Sequence, residues 1–524
     1  MPLGARTRIG LTLGACLCLL TQSPAVMGAD TPATAPTTTS PSSTAASDAE
    51  RSAVYLLRSA VTYRRDGKHN TLLRALRQMR DPALSPIFVE LSQSDNPTLR
   101  VHGILGLADC DPKRKLDLVR IASISEPASQ AEAVSAALDS EMVTPADAAQ
   151  LVSWPGLDLA VRILVCTQLI KSQPTEHVEL LLEASKADNL GRRSMAGLML
   201  LQCDRPEGRK ILDDCSKSTD PRRDAVREML LSAAMRYEFD KAGPWAMAVA
   251  SEPGVSARLS LMALRVAIRF SVPGASDLWK QMFDSTTDPA QRMRLALAAL
   301  NMAQHLDTRT AQTLSASDDA LIKRIGLVTS AIIAGRSVAE PAVALIGSAG
   351  GPPVIGDWAL LYVKRQASAV DGPAMLMAMI QAANSSEGNK AQRIDDAVSA
   401  TQMLIERYPD LAPGLLRPFL TDAKTDPLAA QGVLIGVIRA DSSRAYAVVT
   451  DLPSPSDLDV QGLLLLLRAR QGLPLDESQM NELATLVRGG GALRTSDALR
   501  LQAAWIYLKR TKQTDQALAA VLGK

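Results

Sequence analysis

The chain has 524 residues, of which 47% are hydrophobic and only 3% aromatic, and its 57 basic and 55 acidic residues nearly cancel to a net charge of +2. So few aromatics argue against a β-sheet fold and against the stacking platforms of a lectin or a single-stranded nucleic-acid binder. The charge balance excludes a strong whole-molecule attraction to polyanions, so nucleic acid is not an expected partner.

Arg6 and Arg8 precede an apolar run from Ile9 to Leu20, and the small residues Ala25-Val26-Met27-Gly28-Ala29 follow it. This three-zone pattern reads as a secretory signal over residues 1–29, with a periplasmic or secreted destination. The run is too short for a spanning helix. Leu13-Gly14-Ala15-Cys16 offers a competing lipobox reading, in which the mature protein is anchored at Cys16, although the chain stays apolar beyond it. Residues 30–47 hold no large apolar side chain and read as a disordered Thr/Pro/Ser/Ala-rich tether.

From Asp48 onward the apolar spacing is helical. Val54, Leu56, Leu57, Ala60 and Val61 share one stripe, and Leu72, Leu73, Leu76 and Met79 another, with Asp66-Gly67-Lys68 read as the turn between them. Asp-Pro or a near variant then recurs before Ala/Leu-rich runs, at Asp81-Pro82, Asp95-Asn96-Pro97, Asp111-Pro112, Asp220-Pro221, Asp288-Pro289 and Asp426-Pro427. Asp accepts the free N–H groups of a first helical turn, and Pro is tolerated only there. A cap repeated over hundreds of residues predicts stacked antiparallel helix pairs, an all-α solenoid.

The clearest unit has Leu84, Ile87, Phe88 and Leu91 on its first helix, the Asp95-Asn96-Pro97 turn, and a second helix beginning Leu99-Arg100-Val101-His102-Gly103. These residues resemble a HEAT repeat, in which an Asp-containing turn joins two helices and the second carries an Arg and small residues. Similar pieces occur at Asp220–Met235, with Val226-Arg227 and Ala233-Ala234, and at Asp288–Ala303, with Met293-Arg294 and Ala298-Ala299. Asp318–Ala334 and Asp426–Arg439 are looser. Gly103 stands where Ala is usual, and the Arg is missing after Asp426. At repeat level the resemblance covers roughly half the chain. The segment Leu501–Arg510, with Asp515 and Ala517-Leu518, resembles part of a tetratricopeptide motif. The implied fold is a HEAT-like superhelix with an N-terminal arm over 48–346, a Gly/Pro-rich joint at 347–353 and a C-terminal arm over 354–524. Five consecutive leucines, Leu463–Leu467, predict a buried core helix.

Chemistry-bearing residues are sparse. His69, His102, His177 and His305 lack the paired spacing of zinc ligands, and no nucleophile elbow, phosphate loop, dinucleotide fingerprint or calcium loop occurs. No catalytic residue, cofactor or metal is expected. Four cysteines follow the signal, and Cys203 and Cys215, separated by the turn Asp204-Arg205-Pro206-Glu207-Gly208, are the pair that a disulfide could join. Between Arg51 and Arg80 the chain is basic: Arg58, Arg65, Arg74, Arg77 and Arg80 form a candidate partner-binding face, with a polar end cap of the solenoid as the favoured account.

The pattern points to an exported, non-enzymatic scaffold or assembly factor that binds a protein partner in a bacterial envelope. Two alternatives stand beside it: an envelope polysaccharide lyase or hydrolase on an all-α scaffold, and a module holding anionic membrane or wall polymer through Arg51–Arg80.

Overall fold

The computed structural model describes residues 43–62, 67–111, 116–139, 143–348, 354–385, 389–440, 443–450, 452–490 and 496–523. Among these the protein is all helical, with 29 α-helices and no strand. The signal, Cys16, Arg65 and most of the joint at 347–353 lie outside the described residues, as does the tether up to residue 42. Two compact units form. The larger gathers Ala148–Ser153 and Arg162–Ala445; the smaller gathers the described parts of Thr21–Asp147 with Trp154–Val161 and Tyr446–Lys524.

In chain order, the helices that carry the argument begin with α1 (Ser43–Val61), α2 (Gly67–Gln78), α3 (Ser85–Ser92), α4 (Pro97–Cys110) and α5 (Pro127–Asp139). In the larger unit follow α6 (Val178–Ala184), α7 (Leu190–Gln202), α8 (Arg223–Tyr237), α9 (Ala257–Arg269), α10 (Pro289–Asn301), α11 (Ala320–Ile333), α12 (Lys390–Arg407) and α13 (Pro427–Ala440). The smaller unit closes with α14 (Leu458–Arg470), α15 (Glu477–Arg488), α16 (Asp497–Arg510) and α17 (Thr514–Leu522).

The recurring turn works as a cap. Asp81 accepts from the Ala83 N–H at 3.1 Å, Asn96 from Leu99 at 3.2 Å, Asp288 from Ala290 at 3.1 Å and Asp426 from Leu428 at 2.9 Å. Asp220 accepts from Arg222 at 2.8 Å, one turn before α8 begins. Asp111 differs: it closes α4 at its C-terminus, and Pro112 lies outside the described residues. Gly67 is helical and opens α2.

A second element of the repeat was only half visible in the sequence. Four residues after the caps Asn96, Asn189, Asn389 and Ser496 stands an Arg that reaches back to a carbonyl at or just beyond the end of the preceding helix. Arg100 donates to Ser94 O at 2.9 Å, Arg193 to Ala187 O at 3.0 Å, Arg393 to Ala382 O at 3.0 Å and Arg500 to Val487 O at 3.3 Å. Arg162 does the same to Val152 O at 2.7 Å and Arg227 to Ser216 O at 3.0 Å. Those terminal carbonyls have no intrahelical donor and carry the negative end of the helix dipole, so a guanidinium serves both needs. In Asp288–Ala303 this place belongs to Arg292, whose guanidinium lies 4.8 Å from the centre of the Phe283 ring, while Arg294 points to solvent.

Helices adjacent in sequence pack as pairs, and second helices pack side by side: α4 with α5, and α7 through α11 in succession. Gly103 is explained by this packing. A Cβ there would meet Ser92 N at 2.2 Å, so α3 and α4 approach closely only without a side chain. The leucine run Leu463–Leu467 is buried in α14 as expected. Among the described residues no helix is long and apolar enough to cross a membrane.

In the smaller unit the first helices are covered by the last. α1 packs against α15, α16 and α17, and α2 packs against α16. Asp81 holds this clasp: its second oxygen accepts from Trp505 Nε1 at 2.8 Å and from Lys509 Nζ at 2.7 Å. Arg58 donates to Ala520 O at 2.6 Å. C-terminal helices thus cover part of the first pair, which the sequence reading took as a polar end cap.

Candidate functional site

The basic first pair does not present its arginines as one free row. Arg74 is exposed on α2. Arg77 turns inward, its Nε 2.7 Å from Asp109 Oδ2 on α4, with both side chains largely buried. Arg80 lies beyond the helix end, exposed, with a left-handed φ of 49°. Arg58 is exposed but engaged with α17. Behind them His69 and His102 are each 2% exposed. Glu132 Oε1 on α5 stands 3.9 Å from His102 Nε2. Burial, reinforced by the charges of Arg77 and Arg74, pushes His102 down to about 3, so its ring is neutral. Burial pushes Glu132 upward. His69 lies in the first turn of α2.

A groove of about 720 Å³ opens in the larger unit beside Arg162 and the first turns of α6. His177 caps α6 there, 3.3 Å from Gln173 Oε1, and Glu176, Glu179, Glu183 and Lys186 share the rim. Burial lowers the His177 pKa, partly offset by Glu176. The aromatic platforms that a carbohydrate-processing cleft needs are elsewhere: Trp245, Trp279, Trp358 and Trp505 are buried in the core. Three of them spend their N–H groups internally, Trp245 on Ser216 Oγ at 3.3 Å, Trp279 on Leu295 O at 3.0 Å and Trp505 on Asp81.

Cys203 ends α7 half-buried beside Asp204 and Lys241, whereas Cys215 is buried near Ser194 and Arg227. Both are free thiols in this structure, and burial raises the pKa of each. Among the described residues no group of three His, Cys, Asp or Glu side chains is placed to hold a metal ion.

The feature that sequence reasoning missed lies on the layer α8–α11. Helices α9, α10 and α11 contain no Asp or Glu, and they bear Arg258, Arg265, Arg269, Arg294, Lys323 and Arg324. Spread over 67 positions, from Arg258 to Arg324, these residues form no run in the chain; the missing acids, helix after helix, were the available signal.

No protein-family model matches the chain, and no curated protein matches it significantly.

Proposed function

We propose that this chain is an exported HEAT-like α-solenoid that acts without catalysis of its own, as a protein-binding scaffold or assembly factor in a bacterial envelope. The supporting observation is the side-by-side packing of helices α7 to α11, one from each successive helix pair. Repeat proteins bind partners over such multi-helix surfaces, because no single unit offers enough area. Export rests on the three-zone N-terminus and is an inference from sequence.

The test is a crosslinked pull-down of the mature protein from its own envelope fraction. Reproducible, stoichiometric protein partners are expected. If none is captured while polysaccharide substrates are turned over, the scaffold reading fails in favour of an envelope enzyme.

A further inference from the structure

We infer that the solvent face of α9, α10 and α11 docks an acidic segment of a partner protein, with Arg265 as the central anchor. The inference rests on the protein-binding reading above and gives it a place and a chemistry.

Helix α9 presents Arg258, Arg265 and Arg269 along one side, at about 10 Å and 6 Å of axial rise. The outer two are matched. Arg258 pairs with Glu228 at 3.0 Å; Arg269 pairs with Glu238 at 2.9 Å and lies 2.7 Å from His305 Nε2. Arg265 between them has no ion pair among the described residues, and its Nε is shielded from water without any hydrogen-bond partner. Burial lowers its pKa from the ordinary arginine value. The rest of the half-buried guanidinium stays open to an acceptor, while its dry, unpartnered Nε destabilises the fold that holds it. Such a group is poised for an incoming carboxylate, which a planar fork can take in bidentate fashion.

Neighbouring helices extend the field. Arg294 on α10 and Lys323 and Arg324 on α11 are exposed and make no ion pair among the described residues. Glu228 and Glu238, both on or at the end of α8, are the acids paired into this face, and each is already neutralised.

The choice of a protein segment follows from what accompanies the charge. Leu261 and Met262 are half-exposed on α9, and Leu327 on α11 is 51% exposed, so apolar contact is interleaved with the cations. No aromatic residue occurs on α9, α10 or α11, which removes the stacking that single-stranded nucleic acid would use. A membrane surface attracts exposed cations but cannot reach a recessed guanidinium.

The experiment uses the full mature chain and a short fluorescein-labelled peptide of alternating Glu and Leu, read by fluorescence anisotropy. Saturable binding is expected, with a Gln/Leu peptide not bound. Arg265→Leu should weaken binding by about tenfold or more while raising the melting temperature, because it removes an unpaired charge from a recess. A structural role for Arg265 predicts the opposite shift in melting. Arg294→Glu with Arg324→Glu, both on exposed positions, should weaken binding without altering the melt. Unchanged binding in the Arg265 and Arg294/Arg324 variants overturns the assignment. So does tighter, Arg265-dependent binding of heparin or of phosphatidylglycerol vesicles. In the pull-down, partners retained equally by wild type and these variants refute the docking face but leave the scaffold reading standing; absence of partners from wild type refutes both.

Discussion

Replacing Asp81 with Ala breaks one polar link between the two ends of the smaller unit, and the cost can be assembled contact by contact. Oδ1 caps the 3-10 turn at Ala83, a loss of about 1 kcal/mol. Oδ2 accepts from the buried Trp505 indole at 2.8 Å, and orphaning that N–H costs about 1–1.5 kcal/mol. Lys509 is 51% exposed, so its ion pair adds no more than about 0.5 kcal/mol. The total is about 3 kcal/mol. Burial raises the Asp81 pKa, but hydrogen bonds from Lys509, Trp505 and the Ala83 N–H outweigh it and leave the pKa below the ordinary aspartate value. Stability from this group is therefore present above the unfolded pKa and is lost as pH falls through the lowered folded value. Amide hydrogen exchange is the assay, because it separates local from global opening. Asp81→Ala should speed exchange in α1, α16 and α17 together and leave the larger unit unaffected. Acceleration confined to the 81–84 turn, or a double-mutant cycle with Trp505→Phe giving a coupling below about 0.5 kcal/mol, would refute the clasp.

Arg227 is fully buried, donates to Ser216 O and pairs with Glu252 at 2.5 Å. Arg227→Met should destabilise urea unfolding by about 3 kcal/mol, towards the low end for broken buried pairs because Glu252 keeps about one-third of its exposure. A loss under about 1 kcal/mol would show that the tie is dispensable. Gly103→Ala should destabilise by about 2 kcal/mol, although Ala is the better helix former by about 1 kcal/mol, because its Cβ meets the Ser92 backbone. A stabilised variant in thermal melts would mean that α3 and α4 separate freely. His102 titrates near 6.5 unfolded and at about 3 folded, so the unfolded chain binds the proton first and stability falls from pH 6.5 towards 3. Between pH 6.5 and 4.5 the loss should approach about 2.3 kcal/mol, reduced by Glu132, whose raised carboxyl acts in the opposite sense. His102→Leu should flatten the pH–stability curve in that window, and an unchanged slope would place the acid sensitivity elsewhere.

Helix class and the capped turns were legible in the chain because they are local. A cap needs only Asp or Asn and the next three residues, and the absence of aromatics limits what a core can be. Leu463–Leu467 similarly had no other place to go. The Arg tie was half legible: the Arg of the clearest unit was in view, but its fixed offset from the cap was not. Arg294 was taken for the repeat position that Arg292 fills, since only packing against Phe283 distinguishes them.

What the sequence determined by itself is therefore a string of capped, Ala/Leu-rich helices. What only the tertiary structure decided is which polar groups remain free. Arg77 belonged to a basic run until α4 brought Asp109 to it, and the first pair counted as an end until α15–α17 covered it. Arg265, an unremarkable helix residue in the chain, became a recessed unpaired cation when α8 and α10 closed on either side. Charge pairing acts over a few ångströms, and positions scores of residues apart reach that range only through stacking.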